Sequence, residues 1–347
     1  MDSIKSQTQN PQRLHATKIR RKVITGVEDF FENQGFTYTD TPLLVQNPGM
    51  EPHIRPVQVK SYGTDSPLTF LPTSPEFAMK KLLVGGLDKI FQICPAFRVE
   101  PHSNTHHTEF TLLEWYRADD ELETIMKDCE KLITQLTKEI LKQDFIEFEG
   151  TQVSLKAPWP KWSTNSLFKK YCDIDLVKNK TSKLLHRHCN RLEIASCEDE
   201  PWDDLYFKIW LNCIEPKLPK DQAFFVTDYP PSQCALAEVS QDKEGNHWSK
   251  RFEVYIGGLE LANAFQELTD VKEYKTRFDH EMQIREKAYG TSFPKTPIDT
   301  SFLEAIQEGL PRSAGIALGV DRLIMLLANE SNIEMTKWLT STELAKL

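Results

Sequence analysis

The segment RVEPHSNTHHTEFTLLEWYR, residues 98–117, combines charged, aromatic and histidine residues in an order that a plain core strand would not need. It predicts two strands joined by a histidine-rich turn. Because alternate residues of a strand share a face, Arg98 and Glu100 should point to one side of the first strand. On the second strand, Phe110 and Glu114 should share a face and lie about 13 Å apart, at ~3.3 Å per residue. This pattern favours a surface that holds a flat base at one end and a distant ammonium group at the other.

Two less specific interpretations fit the same segment. A solvent-exposed hairpin could carry these charges as cross-strand Arg–Glu pairs. His102, His106 and His107 could instead be metal ligands, but nothing in the sequence supplies the second half of such a site. Features elsewhere in the sequence are needed to choose between these interpretations.

The flanking sequence predicts helices at both ends of the chain with strands between them. Residues 1–16 are polar and aperiodic, which predicts a mobile arm, and a helix is expected from Thr17 to about Gly35. Further expectations are a strand broken by Pro42 in FTYTDTPLLV, a short helix in TSPEFAMKKLLVGG, a hairpin in RFEVYIGGLELANAFQEL and a small-residue stretch leading into a helix in SAGIALGVDRLIMLLAN. Residues 145–222 give no clear pattern. The prediction is an α+β domain with an antiparallel sheet flanked by helices.

Composition narrows the functional class. The 347 residues carry a net charge of −9, which argues against a strongly basic nucleic-acid-binding domain. The sequence contains no run of eighteen apolar residues and no secretory signal, so we expect neither a membrane span nor export. The seven cysteines, an odd number at irregular spacing, predict free thiols in a reducing cytoplasm.

Two other segments contain residues suited to nucleotide chemistry. Glu253 and Glu260, in the predicted hairpin, could share divalent cations that bridge phosphates. Arg322 stands at the entrance of the last apolar helix, and Gly315 and Gly319 precede it where backbones can approach closely. Taken alone, each of these features would also fit a solvated surface.

Several of these segments together resemble class II aminoacyl-tRNA synthetases. FRVE, the turn and EFTLLEWY resemble motif 2, GIALGVDRL resembles motif 3, and GFTYTDTPLL with Pro42 resembles the dimer-forming motif 1. TSPE…MKKLL and RFEVYIGGLELANAFQEL are similar to the lysine-specific branch. The resemblance runs from about residue 17 to 335 and implies a catalytic domain over residues 17–347, an insertion at about 145–222 and a homodimer. The lysine-specific enzymes carry an N-terminal anticodon-binding barrel, for which we expect no room here.

A free-standing core of this type resembles the family of elongation factor P–lysine ligases. At the position of Ala317, lysyl-tRNA synthetases have glycine, whereas the ligases have alanine as this chain does. The resemblance assigns seven residues to ATP. Arg98 would contact the α-phosphate, Glu100 the adenine amino group and His106 the γ-phosphate, while Phe110 and Arg322 would stack on the two adenine faces. Glu253 and Glu260 would bind through Mg²⁺, and Arg98 and Arg322 are also the catalytic residues. The resemblance assigns six residues to the lysine, which are Glu76, Glu114, Tyr116, Asn263, Glu267 and Ala317. The turn departs from the family pattern at Thr105, His107 and Thr108.

The implied reaction is activation of (R)-β-lysine or lysine by ATP and its transfer to a lysine of elongation factor P, with tRNA not expected as a partner. A tRNA-charging enzyme and a non-catalytic amino-acid-binding module remain as alternatives. Two of the site assignments have specific structural tests. Strict alternation places Glu260 and Glu267 on opposite sheet faces, so both can line one site only if the strand contains a bulge. Glu76 could instead be the capping-box acid of Thr73.

Overall fold

The computed structural model describes residues 4–51, 53–59, 69–290 and 296–344. Its strands are β1 Thr37–Tyr38, β2 Val57–Val59, β3 Thr69–Leu71, β4 Lys89–Phe97, β5 Glu109–Ala118, β6 Phe145–Phe148, β7 Thr151–Ser154, β8 Lys161–Ser163, β9 Phe224–Tyr229, β10 Val239–Gln241, β11 His247–Ile256, β12 Leu259–Gln266 and β13 Ser313–Gly319. Its α-helices are α1 Ile4–Thr8, α2 Pro11–Glu32, α3 Glu76–Val84, α4 Leu122–Leu141, α5 Thr164–Cys172, α6 Ser182–Arg191, α7 Trp202–Ile209, α8 Val271–Tyr289, α9 Thr300–Gly309, α10 Val320–Ala328 and α11 Ser341–Leu344.

One large sheet organises the molecule. Its nine strands run in the order β1-β4-β5-β13-β12-β11-β9-β8, with β10 paired to β11. The pairs from β4 to β9 are antiparallel, whereas the outer pairs β1–β4 and β8–β9 are parallel. The expected α+β fold with an antiparallel sheet is therefore confirmed, with parallel pairing only at the two edges.

The two faces of this sheet have different partners. Helices α2, α4 and α10 cover one face and build the main core, in which Trp115 of β5 and Ile316 of β13 are buried. Because side chains alternate along a strand, Glu114 and Ala317 point to the opposite face. We call that second face the site face.

Strand β12 contains the bulge that the sequence required. Val254 of β11 pairs with Ala262, but the next residue, Tyr255, pairs with Glu260, so Leu261 is the additional residue on β12. Leu261 and Ala262 are both buried in the main core. The extra residue reverses the alternation, so Glu260 lies on the same sheet face as Glu267.

The N-terminal segment differs from the mobile arm that was expected over residues 1–16. Helix α2 begins at Pro11, where the side chain of Asn10 accepts hydrogen bonds from the backbone N–H groups of Gln12 and Arg13. Arg13 is buried and pairs with Glu343 near the other end of the chain, at 2.5 Å. The prediction of a mobile arm through residue 16 is thus wrong from residue 11 onward. An Asn cap followed by proline at the first helical position is itself a helix-start signal.

The segment 145–222 contributes to two cores. The hairpin β6–β7 packs against the main core through Ile146 and Val153. Helices α5, α6 and α7 enclose a second apolar cluster against β9. The seven cysteines are free thiols, and no helix in the described ranges is long and apolar enough to cross a membrane.

Candidate active site

One row of residues crosses the site face and joins both halves of the expected site. Glu114 of β5 lies directly opposite Ala317 of β13, which lies opposite Asn263 of β12. Asn263 in turn lies opposite Glu253 of β11. Since directly opposed residues have Cβ atoms ~4.5–5.5 Å apart, the row places the expected lysine and magnesium residues on one continuous surface.

Three buried carboxylates collect at the first end of this row. Glu76 begins helix α3, Glu114 lies on β5 and Glu267 directly follows β12, and each is almost inaccessible to solvent. The Tyr116 hydroxyl donates a hydrogen bond to Glu114 Oε2 at 3.1 Å. Together with Lys80, these four residues form what we call the carboxylate pocket.

Lys80 is the member of the carboxylate pocket that the sequence did not reveal. Its Nζ lies 2.5 Å from Glu76 and 2.6 Å from Glu267, and its side chain is 0% exposed. It also donates to the hydroxyl of Tyr274, on α8, at 3.5 Å. Although burial alone would lower the pKa of Lys80, the carboxylates of Glu267 and Glu76 raise it well above its usual range. A lysine in an amphipathic helix is ordinarily solvated; the only local signal was its i,i+4 spacing from Glu76.

The carboxylate pocket contains more acidic than basic groups, and burial raises the pKa of two of its carboxyl groups. Burial, reinforced by the Glu76 carboxylate, raises the pKa of Glu114 to about 8. Burial also raises the pKa of Glu267 to about 7, although Lys80 opposes that shift. With all groups ionised, three carboxylates face one ammonium. A ligand with two ammonium groups would supply the missing charge, and lysine and β-lysine are such ligands.

The contacts of Thr73 and Glu76 show whether Glu76 is the acid of a capping box. A capping box would require the Thr73 side chain to accept from the first turn of α3. Instead the Thr73 hydroxyl donates to the carbonyl of Pro48 at 2.6 Å, and the Glu76 carboxylate pairs with Lys80. The capping-box interpretation is therefore wrong.

Gly315 allows the Tyr116 ring to approach β13 closely. A Cβ atom at this position would stand 2.2 Å from Tyr116 Cε1 and 2.8 Å from Glu267 Oε1. At Gly319 the same atom would make ordinary contacts, beginning at 3.7 Å from the Leu261 carbonyl oxygen. The close approach expected at both glycines is thus confirmed at Gly315 and wrong at Gly319.

The residues expected to bind ATP form a second group on the site face. The guanidinium of Arg98 lies over the Phe110 ring, 5.2 Å from its centroid. Arg322, in the first turn of α10, donates to the Glu260 carbonyl at 2.7 Å, and its second amino group lies 2.9 Å from His106 Nε2. His106 Nε2 lies 3.8 Å from Glu100. The structure therefore brings these residues together, while their individual contacts with ATP stay predictions.

Glu253 and Glu260 provide the carboxylates expected to hold magnesium. Burial, followed by repulsion from Glu253, raises the pKa of Glu260 to about 7. Glu253 accepts a hydrogen bond from the Tyr255 hydroxyl at 3.0 Å and pairs with Arg251. Arg251 also donates to the Asn263 side chain at 3.2 Å. Two mutually repelling carboxylates beside a phosphate site fit Mg²⁺, which binds through one or two carboxylates and substrate phosphates.

Comparison with known proteins identifies the family of the chain. Residues 4–342 match the family of class II tRNA synthetases (D, K and N). A protein of Enterobacter sp. (strain 638) named elongation factor P–(R)-β-lysine ligase is 34% identical over 313 residues, covering 88% of this chain and 89% of the relative. Proteins of the same name from Haemophilus ducreyi (32% identical, 91% of this chain and 90% of the relative) and Histophilus somni strain 2336 (31%, 95% and 96%) are similar over comparable lengths. The chain therefore belongs to the class II tRNA synthetase family and, within it, to the elongation factor P–(R)-β-lysine ligases.

Proposed function

We propose that this chain activates lysine or (R)-β-lysine with ATP and transfers it to a lysine side chain of elongation factor P. The observation that carries the proposal is the carboxylate pocket, which lies on the same sheet face as Arg98 and Arg322 and has three carboxylates for one ammonium group. A pocket of this sign selects a diamino acid and disfavours an acidic one. The printed names of the relatives support the acceptor protein and the (R)-β isomer.

In the first step, a carboxylate oxygen of the amino acid attacks the α-phosphorus of ATP. The new O–P bond forms as the bond to the bridging oxygen breaks, and pyrophosphate leaves. Arg98 neutralises charge on the α-phosphate oxygens, while Arg322 and His106 hold the remainder of the nucleotide. Glu253 and Glu260 would hold Mg²⁺, which supplies further neutralisation of phosphate charge.

In the second step, the ε-amine of the acceptor lysine attacks the acyl carbon and AMP leaves. The new amide nitrogen releases a proton, and no enzyme nucleophile is required. The carboxylate pocket contributes by holding the ammonium groups of the substrate, so that its reacting end stays in register with Arg98.

Ala317 provides the basis for a preference between isomers. It lies between Glu114 and Asn263 in the row across the site face. Its methyl group narrows the pocket relative to glycine and would favour an amino group displaced by one carbon. A single methyl contributes only about 1–3 kcal/mol of discrimination, so an Ala317→Gly variant should use α-lysine relatively better without losing β-lysine.

We also propose that the chain is a cytoplasmic homodimer. The free thiols suit a reducing compartment. The segment that resembles motif 1 exposes Tyr38 (48%) and Leu44 (62%), which a second copy could cover. Light scattering on the purified chain tests the dimer, and a monomeric mass would refute it.

The first experiment measures the intact mass of elongation factor P after incubation with this protein, ATP, Mg²⁺ and either lysine isomer. A parallel reaction offers tRNA and labelled amino acid. We expect a lysyl-sized mass increase on the factor and no charged tRNA. Charged tRNA with an unmodified factor would indicate a tRNA-charging enzyme. Absence of both products and of pyrophosphate exchange would indicate a non-catalytic module.

An Arg98→Ala variant tests the assignment of the first step. We expect it to abolish amino-acid-dependent pyrophosphate exchange, because charge developing on the α-phosphate would lose its principal protein partner. Circular dichroism would confirm that the variant is folded. Near-normal exchange in the folded variant would refute the role of Arg98.

A further inference from the structure

A cluster of three potential metal ligands lies between the β4–β5 loop and the C-terminal segment. His102 and His107 belong to the loop, and Glu334 belongs to a 3₁₀ turn, Ile333–Thr336. One ligand atom from each residue lies within 4.8 Å of the other two. His102 Nε2 is 3.2 Å from Glu334 Oε1, and the two imidazole rings meet edge to face with centroids 5.7 Å apart.

The backbone holds the two segments of this cluster together. The N–H of Ile333 donates to the carbonyl of Asn104, inside the loop, at 2.8 Å. The Asn332 side chain accepts from the backbone N–H of Glu334 at 3.0 Å and fixes the start of the turn. Within the loop, a bridge joins Ser103 to His106. The ligands therefore meet because main-chain contacts bring the C-terminal segment onto the loop, which sequence spacing cannot reveal.

We propose that His102, His107 and Glu334 bind one divalent transition-metal ion of the zinc type. Two imidazoles and one carboxylate suit Zn²⁺ better than Mg²⁺ or Ca²⁺, which prefer oxygen ligands. Metal–ligand bonds of about 2.0–2.2 Å require ligand atoms roughly 3.4 Å apart. The His102–Glu334 distance already satisfies this requirement, and the half-exposed His102 side chain (48%) can rotate to complete the set.

The surroundings of His107 suit a ligand role. Its Nδ1 lies 3.1 Å from the Glu109 carbonyl oxygen, to which it donates when protonated, and 3.3 Å from the Glu109 backbone N–H, from which it accepts in the other tautomer. When Nε2 binds a metal ion, Nδ1 carries the proton and donates it to that carbonyl. Such a backbone acceptor orients many metal-bound histidines.

The proposed site is separate from the nucleotide site and does not depend on the ligase reaction. His106, between the two histidine ligands, faces the other way and contacts Arg322. A bound ion would tie the β4–β5 loop to the C-terminal segment and so hold His106 in place. It would also stabilise the fold, because binding only to the native state shifts unfolding by mass action.

The test titrates the metal-stripped full-length chain with Zn²⁺ against a chromophoric chelator and with Co²⁺ as a spectroscopic probe. We expect about one equivalent of Zn²⁺ and visible Co²⁺ bands without the near-ultraviolet charge-transfer band of thiolate ligands. The ligand variants are Glu334→Gln, which preserves side-chain volume, and His102→Ala. The matched controls are His106→Ala, in the same loop, and His280→Ala, on the exposed face of α8.

We expect zinc affinity to fall at least about 10-fold in both ligand variants and to stay unchanged in both controls. The rise in melting temperature caused by zinc should disappear in Glu334→Gln. Equal affinity in all four variants would overturn the site. A thiolate charge-transfer band would also overturn it, because it would assign the ion to cysteines, as would the absence of zinc binding to the unmodified chain.

Discussion

The two ends of the site hold their charges in different ways. In the carboxylate pocket, Lys80 and Glu267 have side chains that are 0% and 1% exposed, so their charges are fixed by packing. At the nucleotide end, the side chains of His106 and Glu100 are 43% and 34% exposed. Buried charges depend on one another, whereas exposed charges can be solvated when a partner is lost. Substitutions in the carboxylate pocket should therefore change both stability and binding, and those at His106 or Glu100 should change binding alone.

The largest expected effect is that of Lys80→Met, which keeps the volume of the side chain but removes its charge. Glu76 and Glu267 would lose their buried partner, and breaking such a pair costs about 3–5 kcal/mol of unfolding free energy. Burial raises the pKa of Glu267 to about 7, so this carboxylate is largely protonated at pH 5.5 and ionised at pH 8. The loss should therefore be greater at pH 8 than at pH 5.5. Urea unfolding at both pH values provides the measurement.

Lys81→Met is the matched control for this prediction. Lys81 is the next residue of the same helix, its side chain is 33% exposed, and its ammonium pairs with Asp299 at 3.0 Å. Exposed pairs contribute only ~0–1 kcal/mol, so this variant should unfold nearly like the unmodified chain at both pH values. Equal effects of the two substitutions would contradict the view that Lys80 is integral to the pocket.

Lys80 also shows where the sequence could and could not predict this molecule. The hairpin at Gly257 followed from residue patterns, because face alternation and turn residues are local properties. The bulge before Ala262 followed from requiring Glu260 and Glu267 on one face, an assignment that came from the family resemblance. The partners of Lys80 and Arg13 could not be predicted in this way, since they depend on how distant segments pack. Two local sequence signals were missed. The Asn10 cap predicts the start of a helix, and the i,i+4 spacing of Lys80 from Glu76 predicts an ion pair.

The next largest effect is expected from Glu114→Gln. Removing this charge should raise the KM for the amino acid by about 10- to 100-fold, since a hydrogen bond to a charged group contributes ~1.5–3 kcal/mol. The KM for ATP should stay the same. Pyrophosphate exchange at varied concentrations of each substrate measures both constants, and an equal rise in both would contradict the division of the site.

Glu114 also predicts a pH signature of substrate binding. Its pKa of about 8 lies above that of an ordinary glutamate, so the unliganded fold is favoured at low pH and loses that advantage as pH rises toward 8. A cationic ligand lowers the pKa again, so binding at pH 7 should release protons. Calorimetry in buffers of different ionisation enthalpy measures this release, which should shrink in Glu114→Gln. Proton uptake on binding would have the wrong sign.

Gly315→Ala should have a similar or smaller effect, confined to the amino-acid end. The new methyl would displace the Tyr116 ring, and overpacking of this kind costs about 1–3 kcal/mol. We expect a higher KM for the amino acid and an unchanged KM for ATP. Gly319→Ala, which adds the same atom where contacts are ordinary, should change the amino-acid KM much less. A reversed order of the two effects would show that Tyr116 does not position the substrate.

The smallest effect is expected from His106→Ala at the nucleotide end. Arg322 would lose one contact but keep its hydrogen bonds to the carbonyls of Glu260 and Thr105, at 2.7 and 3.3 Å. One such interaction contributes about 0.5–1.5 kcal/mol, so the KM for ATP should rise no more than about 10-fold. The amino-acid KM and the unfolding free energy should stay within error of the unmodified chain, because an imidazole that is nearly half exposed has little buried charge to leave unpaired. A substantial fall in unfolding free energy would mean that the nucleotide end is as tightly coupled to the fold as the carboxylate pocket.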